Sequence, residues 1–151
     1  MVKGDRGGSV WEGARMADEA EQRKEMIRAV KAGKLARVKE LLAANPELVA
    51  VREEDGSTPL NCAAWKGHAE IAALLIDRGA DIHAQSRGGH YGGTPLHQAA
   101  HANNRAVAEL LIQRGADVHL KSLNGRTPLE ETAAHNATAV AKLLRANGAA
   151  E

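Results

Sequence analysis

The chain holds 151 residues, 44% of them hydrophobic, with no Phe, two Trp and one Tyr, which is enough to bury an aliphatic core with few aromatic anchors. Its 20 Lys and Arg against 19 Asp and Glu leave a formal charge of +1, so nothing draws the whole molecule toward nucleic acid or an anionic membrane. The single cysteine, Cys62, cannot close an internal disulfide, and no apolar run approaches a membrane span; a soluble, cytoplasmic protein is expected.

Residues 1–15 carry four glycines and no periodicity, which reads as a flexible lead-in. Met16-Ala17-Asp18 reads as well as a chain start as Met1 does, with residues 1–15 then an added leader; Trp11 either belongs to that leader or tucks onto the first helices. From Ala17 the pattern is helical, with Asp18, Glu19 and Glu21 at the front, where the helix dipole favours negative charge. Met26, Ile27 and Val30 form the first apolar stripe and Gly33 stops it. Leu35, Val38, Leu41 and Leu42 predict a second helix ending near Asn45-Pro46, since proline disfavours helix at the residue before it.

The following residues repeat this helix–turn–helix pattern with sharper punctuation. Thr-Pro-Leu occurs at 58–60, 94–96 and 127–129, and Gly-Ala follows 21 residues after each Thr, at 79–80, 115–116 and 148–149. Two landmarks at a fixed separation mark a repeated structural unit. Thr is a good N-cap and Pro suits the first helical position. The punctuation predicts a first helix over 59–66 and a second over 69–78, with Ile71, Leu74, Leu75 and Ile76 inward. Val107, Leu110, Leu111 and Ile112, then Val140, Leu143 and Leu144, continue the series. Between the helices of each pair stand Gly33, Gly67, Asn103 and Asn136, the residue types that most readily take positive φ.

With these motifs in place, the chain resembles the ankyrin-repeat family, whose unit reads roughly G-x-T-P-L-H-x-A-A-x-x-G-H, then L-L-L-x-x-G-A-D. Gly56-Ser57-Thr58-Pro59-Leu60-Asn61-Cys62-Ala63-Ala64 with Gly67-His68 and Gly79-Ala80-Asp81 carry the match in one unit; Gly93-Thr94-Pro95-Leu96-His97 with Ala99-Ala100 carry it in the next. The likeness covers about 22–150. It implies an all-α solenoid of stacked helix–turn–helix units with projecting hairpin-like loops, divided here as 22–52, 53–85, 86–121 and 122–151 after a leader and helix start at 1–21. It also implies binding of another protein through the loops and inner helices.

Departures from the family pattern are informative. The His after Thr-Pro-Leu is His97 in the third unit but Asn61 in the second and Glu130 in the fourth, where it completes a capping box. The first unit lacks Thr-Pro-Leu and the last carries Lys142 and Arg145 where the third has Glu109 and Ile112, as solubilising end units require; a complete small solenoid is expected. Thr94 to Thr127 spans 33 residues but Thr58 to Thr94 spans 36, so three extra residues lie between Gly79 and Thr94. They lengthen the loop holding Tyr91 and four glycines, and insertions in stacked repeats go to loops on one face, often the binding face.

Seven histidines raise the question of metal, and His97 and His101 are four apart on one helix, a spacing that holds zinc only with a third ligand. No Glu follows His97, so H-E-x-x-H is absent, and His83 and His119 share a loop position; the histidines are expected to be structural, with no metal or other cofactor. No nucleophile motif or phosphate loop is present and Cys62 faces inward, so the chain is not expected to be an enzyme. Lys24, Arg28 and Lys31 line one helix face within a basic stretch over 23–39; a solvated end cap is expected there and no nucleic-acid partner.

Recognition residues follow from position. Trp65, His101 and Ala134 are equivalent, near the end of each first helix, with Lys31 matching them in the first unit. The family places this position on its concave face. Trp65 and Tyr91, the aromatics outside the leader, fall where the family contacts partners, and exposed aromatics anchor interfaces. Lys66, His90, Arg126 and His135 complete the expected partner-binding set, with Trp65 either a partner anchor or a packing residue against the next unit. A monomer that binds another protein as adaptor, scaffold or inhibitor is expected. The alternative is a small ligand or nucleotide stacked on Trp65 or Tyr91 over Lys66 or Arg87.

Overall fold

The computed structural model describes residues 2–87 and 92–150, with side chains from Gly13 onward. Eight α-helices run in chain order among them: α1 (Val2–Lys31), α2 (Leu35–Ala44), α3 (Pro59–Lys66), α4 (Ala69–Asp77), α5 (Pro95–His101), α6 (Arg105–Gln113), α7 (Pro128–Ala134) and α8 (Thr138–Ala146). A 3₁₀ turn over Pro46–Ala50 follows α2, capped by the Asn45 side chain. The odd helices form one layer, α3 packing on α1 and α5, and α5 on α7; the even helices form the other, α4 packing on α2 and α6, and α6 on α8. This is the all-α stacked architecture that the resemblance implies.

Each Thr-Pro-Leu builds its helix start locally. Thr58, Thr94 and Thr127 accept from the backbone N–H three residues on, while Asn61, His97 and Glu130 return a bond to the Thr N–H, so two orphan donors are satisfied reciprocally. These helices have seven or eight residues, well short of the ~12–15 needed to persist alone, so their stability comes from stacking. The core is a continuous aliphatic row: Met26, Val30 and Leu42, then Leu60 and Leu75, then Leu96 and Leu111, then Leu144, all essentially inaccessible. Small Ala63, Ala64, Ala99 and Ala100 between them let the short helices approach closely. Ile71 and Leu75 are buried as expected, while Leu74 and Ile76 are only partly so.

The start of the first helix differs from expectation. Helix was expected from Ala17 after an irregular lead-in, but the backbone is helical from Val2. Glycine lowers helix propensity, yet once a helix is nucleated each added residue closes a further hydrogen bond, so helix propagates outward from its packed part. That part begins at Gln22; residues 13–20 are exposed, and Met26, Ile27, Ala29 and Val30 are buried.

The loops close as hairpin turns. Glu53 N–H donates to Ser57 O at 2.9 Å and Ser122 N–H to Arg126 O at 2.7 Å, across four residues in each case. The corresponding bond in the lengthened loop runs from Ser86 N–H to Gly93 O at 3.0 Å, across seven, with Gly93 N–H returning to Ser86 O at 3.2 Å. Three more residues therefore separate the bonded pair here than in the other loops, and the described residues on either side keep register. Neighbouring loops are tied together: Arg87 N–H donates to Asp55 O at 2.7 Å, and Gln85 Nε2 to Lys121 O at 3.2 Å.

Candidate functional site

Three successive inner helices place one side chain each along a strip. Trp65 near the end of α3 lies against His101 at the end of α5, with ring centroids 4.9 Å apart and planes at 45°. His101 in turn meets His135, the residue capping α7, with centroids 3.6 Å apart. Beneath the two imidazoles lies Glu131 of α7, whose Oε1 is 3.1 Å from His101 Nδ1 and 3.2 Å from His135 Nε2. Arg126, in the loop before α7, brings its guanidinium to 3.7 Å from Glu131 Oε2. Glu131 is 8% exposed, and these side chains supply the partners that a buried carboxylate needs.

Thus four of the seven expected partner-binding residues, Trp65, His101, Arg126 and His135, come together through a residue that was not singled out. Lys66 ends α3 exposed and makes none of these contacts. His90 and Tyr91 lie outside the described residues. Trp65 remains half-buried, packed on the next unit and still partly open to solvent. One side of its indole already meets His101.

Glu131 had a sequence signal. It sits four residues after Thr127, where the other units carry inward-facing Cys62 and Gln98, and one helical turn before His135.

His97 does not join this cluster. Its Nδ1 accepts from Thr94 N–H at 3.2 Å and pairs with Thr94 Oγ1 at 2.8 Å, and its Nε2 reaches Arg126 O at 2.8 Å. The pairing of His97 with His101 on one helix is therefore not a shared site. Asn61 holds the equivalent post, its Nδ2 donating to Ala84 O at 3.1 Å. His83 Nε2 accepts from Asp117 N–H at 3.0 Å, tying one loop to the next.

A second row of staples was not anticipated. His68 Nε2 lies 3.1 Å from Lys31 O, and Asn104 Nδ2 donates to Ala64 O at 2.7 Å and Trp65 O at 2.9 Å. Each thus caps the carbonyl end of the preceding unit's first helix. Asn104 holds the backbone of Trp65 itself.

Cys62 is buried, and its Sγ donates to Glu53 Oε2 at 3.5 Å, while Lys31 Nζ donates to Glu53 Oε1 at 2.8 Å. Burial first, then the Glu53 carboxylate, pushes the thiol up to about 12. The thiolate is the reactive form, so Cys62 in the folded protein is expected to react with an aromatic disulfide reagent only at the rate of unfolding. Labelling within the mixing time in buffer, without denaturant, is the result that contradicts this burial.

The family model for ankyrin repeats (3 copies) matches residues 12–86 and again 83–150. The chain belongs to the ankyrin-repeat family. It is 41% identical over 59 residues to the human ankyrin repeat domain-containing protein 49, an alignment covering 39% of this chain and 25% of that protein. It is 37% identical over 68 residues to the mouse ankyrin repeat and SAM domain-containing protein 6, covering 45% of this chain and 8% of the relative. A 52-residue match at 40% identity, 34% of this chain and 12% of the relative, falls in the Arabidopsis thaliana serine/threonine-protein kinase VIK. The chain therefore spans at most about a quarter of the length of these relatives.

Ankyrin repeats are generally protein–protein interaction modules and typically non-enzymatic. No helix among the described residues is long and apolar enough to cross a membrane. On the first ankyrin unit the basic face is partly neutralised: Arg28 pairs with Glu21 at 2.8 Å, Lys31 with Glu53, and Arg37 with Glu25 at 3.3 Å and Glu40 at 3.0 Å.

Proposed function

We propose that this ankyrin-repeat chain is a non-catalytic recognition module, an adaptor, scaffold or inhibitor, that grips a partner protein along its inner face. The observation that supports this is the continuous strip Trp65–His101–His135–Arg126 drawn from three successive units. Aromatic and arginine side chains are the usual energetic anchors of interfaces. The strip is held before any partner arrives: Asn104 fixes the Trp65 backbone, and Glu131 fixes both imidazoles. Little side-chain entropy then remains to be lost on binding. Lys66 forms the rim beside Trp65, and His90 and Tyr91 of the lengthened loop complete the proposed partner-binding set.

Affinity capture from lysate, with wild type beside Trp65→Ala and Tyr91→Ala, tests this reading. Trp65→Ala is expected to weaken the captured partner by about 2 kcal/mol, roughly 30-fold, with helical content unchanged by circular dichroism. A captured protein held equally well by wild type and Trp65→Ala removes the inner face from the account.

A further inference from the structure

The His101–Glu131–His135 cluster has the composition and spacing of a metal-binding triad as well as of a hydrogen-bonded one. Its three donor atoms, His101 Nδ1, Glu131 Oε1 and His135 Nε2, all lie within 4.8 Å of one another. The two nitrogen–oxygen separations, 3.1 and 3.2 Å, are close to the ~3.3 Å edge of a tetrahedron whose ligands stand ~2.0–2.1 Å from zinc. The ring centroids, 3.6 Å apart, must open to ~5 Å for both nitrogens to face one ion, a swing that the half-open His135 side chain can supply. Two imidazoles and a carboxylate form a borderline donor set suited to zinc, not to magnesium or calcium, which prefer all-oxygen shells.

We propose that His101, Glu131 and His135 bind one zinc ion on the inner face of the stack, bridging the third and fourth helix pairs. Coordination replaces the two imidazole–carboxylate hydrogen bonds; each imidazole ligates in its neutral form, the hydrogen on the ligating nitrogen passing to the ring's other nitrogen or, if that one is already protonated, to solvent. Glu131 Oε1 ligates the ion while Oε2 stays beside the Arg126 guanidinium, which orients the carboxylate from outside the ligand set. Glu131 and His101 are largely covered, and the half-open His135 side gives the ion its entry. Three protein ligands leave a fourth position for water or for a donor from a bound protein. Because the ligands come from α5 and α7, the ion clamps these helices together. The site stands independently of partner binding.

The test uses untagged full chain carrying Trp11→Phe, so that Trp65, whose indole lies against His101, is the sole tryptophan. Zinc chloride is titrated by calorimetry and indole emission, and melting is followed with zinc and with magnesium. The expected result is one zinc per chain, altered Trp65 emission, and a Tm rise of roughly 5–10 °C at about a hundredfold excess over Kd. His135→Ala, at an exposed position and with His101 and Arg126 still beside Glu131, and the near-isosteric Glu131→Gln should each weaken zinc by about 10–100-fold or more. His83→Ala, on the loop face, should leave it unchanged. No zinc-dependent heat or Tm change in wild type overturns the proposal. So does zinc affinity that survives His135→Ala, or an equal Tm rise with magnesium.

Discussion

Gly67→Ala is expected to destabilise the protein by about 3 kcal/mol, a fall of roughly 10 °C in Tm, although it adds one methyl group at a turn. Gly67 ends α3 with φ of 79°, where an L-residue pays ~1–2 kcal/mol. A Cβ there would also stand 3.0 Å from Asn104 Oδ1 and 3.1 Å from its Cγ. The Asn104 amide must then give way, weakening its two bonds to the end of α3, each worth ~1 kcal/mol. Asn103→Gly, at the equivalent position of the next unit, should change stability by less than about 1 kcal/mol, since the ease with which Gly holds φ of 55° offsets the lost bond from Val140 N–H to Asn103 Oδ1. The double variant Gly67→Ala/Asn104→Ala should cost less than the sum of its parts, because the second change removes the clash. Urea titration decides: a Gly67→Ala protein within ~1 kcal/mol of wild type, or strict additivity, contradicts the staple.

His97→Ala should cost about 2–4 kcal/mol, since it empties a fully buried site and strands the Thr94 N–H and the Arg126 carbonyl. His97→Asn copies the second unit, where Asn61 makes the same cap and reaches the next loop, and should recover most of that loss. The pair also separates a pH effect. Burial pushes the His97 imidazole below its ordinary value of 6.5. Geometry agrees, because Nδ1 accepts from the Thr94 N–H and a proton there would oppose it. The unfolded chain therefore binds this proton more readily than the folded one. The contribution is fully present above pH 6.5 and is lost as pH falls from 6.5 toward the depressed folded value, by up to ~1.4 kcal/mol per pH unit. His97→Asn should flatten that part of the acid limb while keeping stability near neutral pH. An unchanged slope of unfolding free energy between pH 6.5 and pH 5 in His97→Asn contradicts the assignment.

The helix-break positions show how far sequence reasoning reaches. Gly33, Gly67, Asn103 and Asn136 all take positive φ, as their residue types predict. Why two are Gly and two Asn was not legible. A Cβ on Gly33 would meet the His68 ring at 2.8 Å, and one on Gly67 would meet Asn104; the next staple position after Asn103 holds Ala137, too short to collide. Asn103 instead uses the space, its Oδ1 accepting from Val140 N–H at 3.3 Å. The choice at one position is set by a residue about 35 places on in the neighbouring unit. Similarly, the boundaries of α3 match its Thr-Pro and Gly punctuation, whereas the onset of α1 was missed because no punctuation stands there and propagation carried the helix over its glycines.

Sequence alone determined the repeat, its caps and breaks, the inward stripe, the three-residue insertion, and Trp65 and His101 as exceptions to the pattern. These depend on bonds and dihedrals spanning a few residues, so the local order of residue types carries them. Tertiary structure alone decided that His101, from α5, and His135, from α7, close on one oxygen of Glu131 with Trp65 against them. The partners that meet across helices are separated by 30 or more positions, and their meeting depends on the offset between stacked helices. That offset is set by the packing of Leu60, Leu96 and Leu129 with the alanines beside them, and no local pattern encodes it.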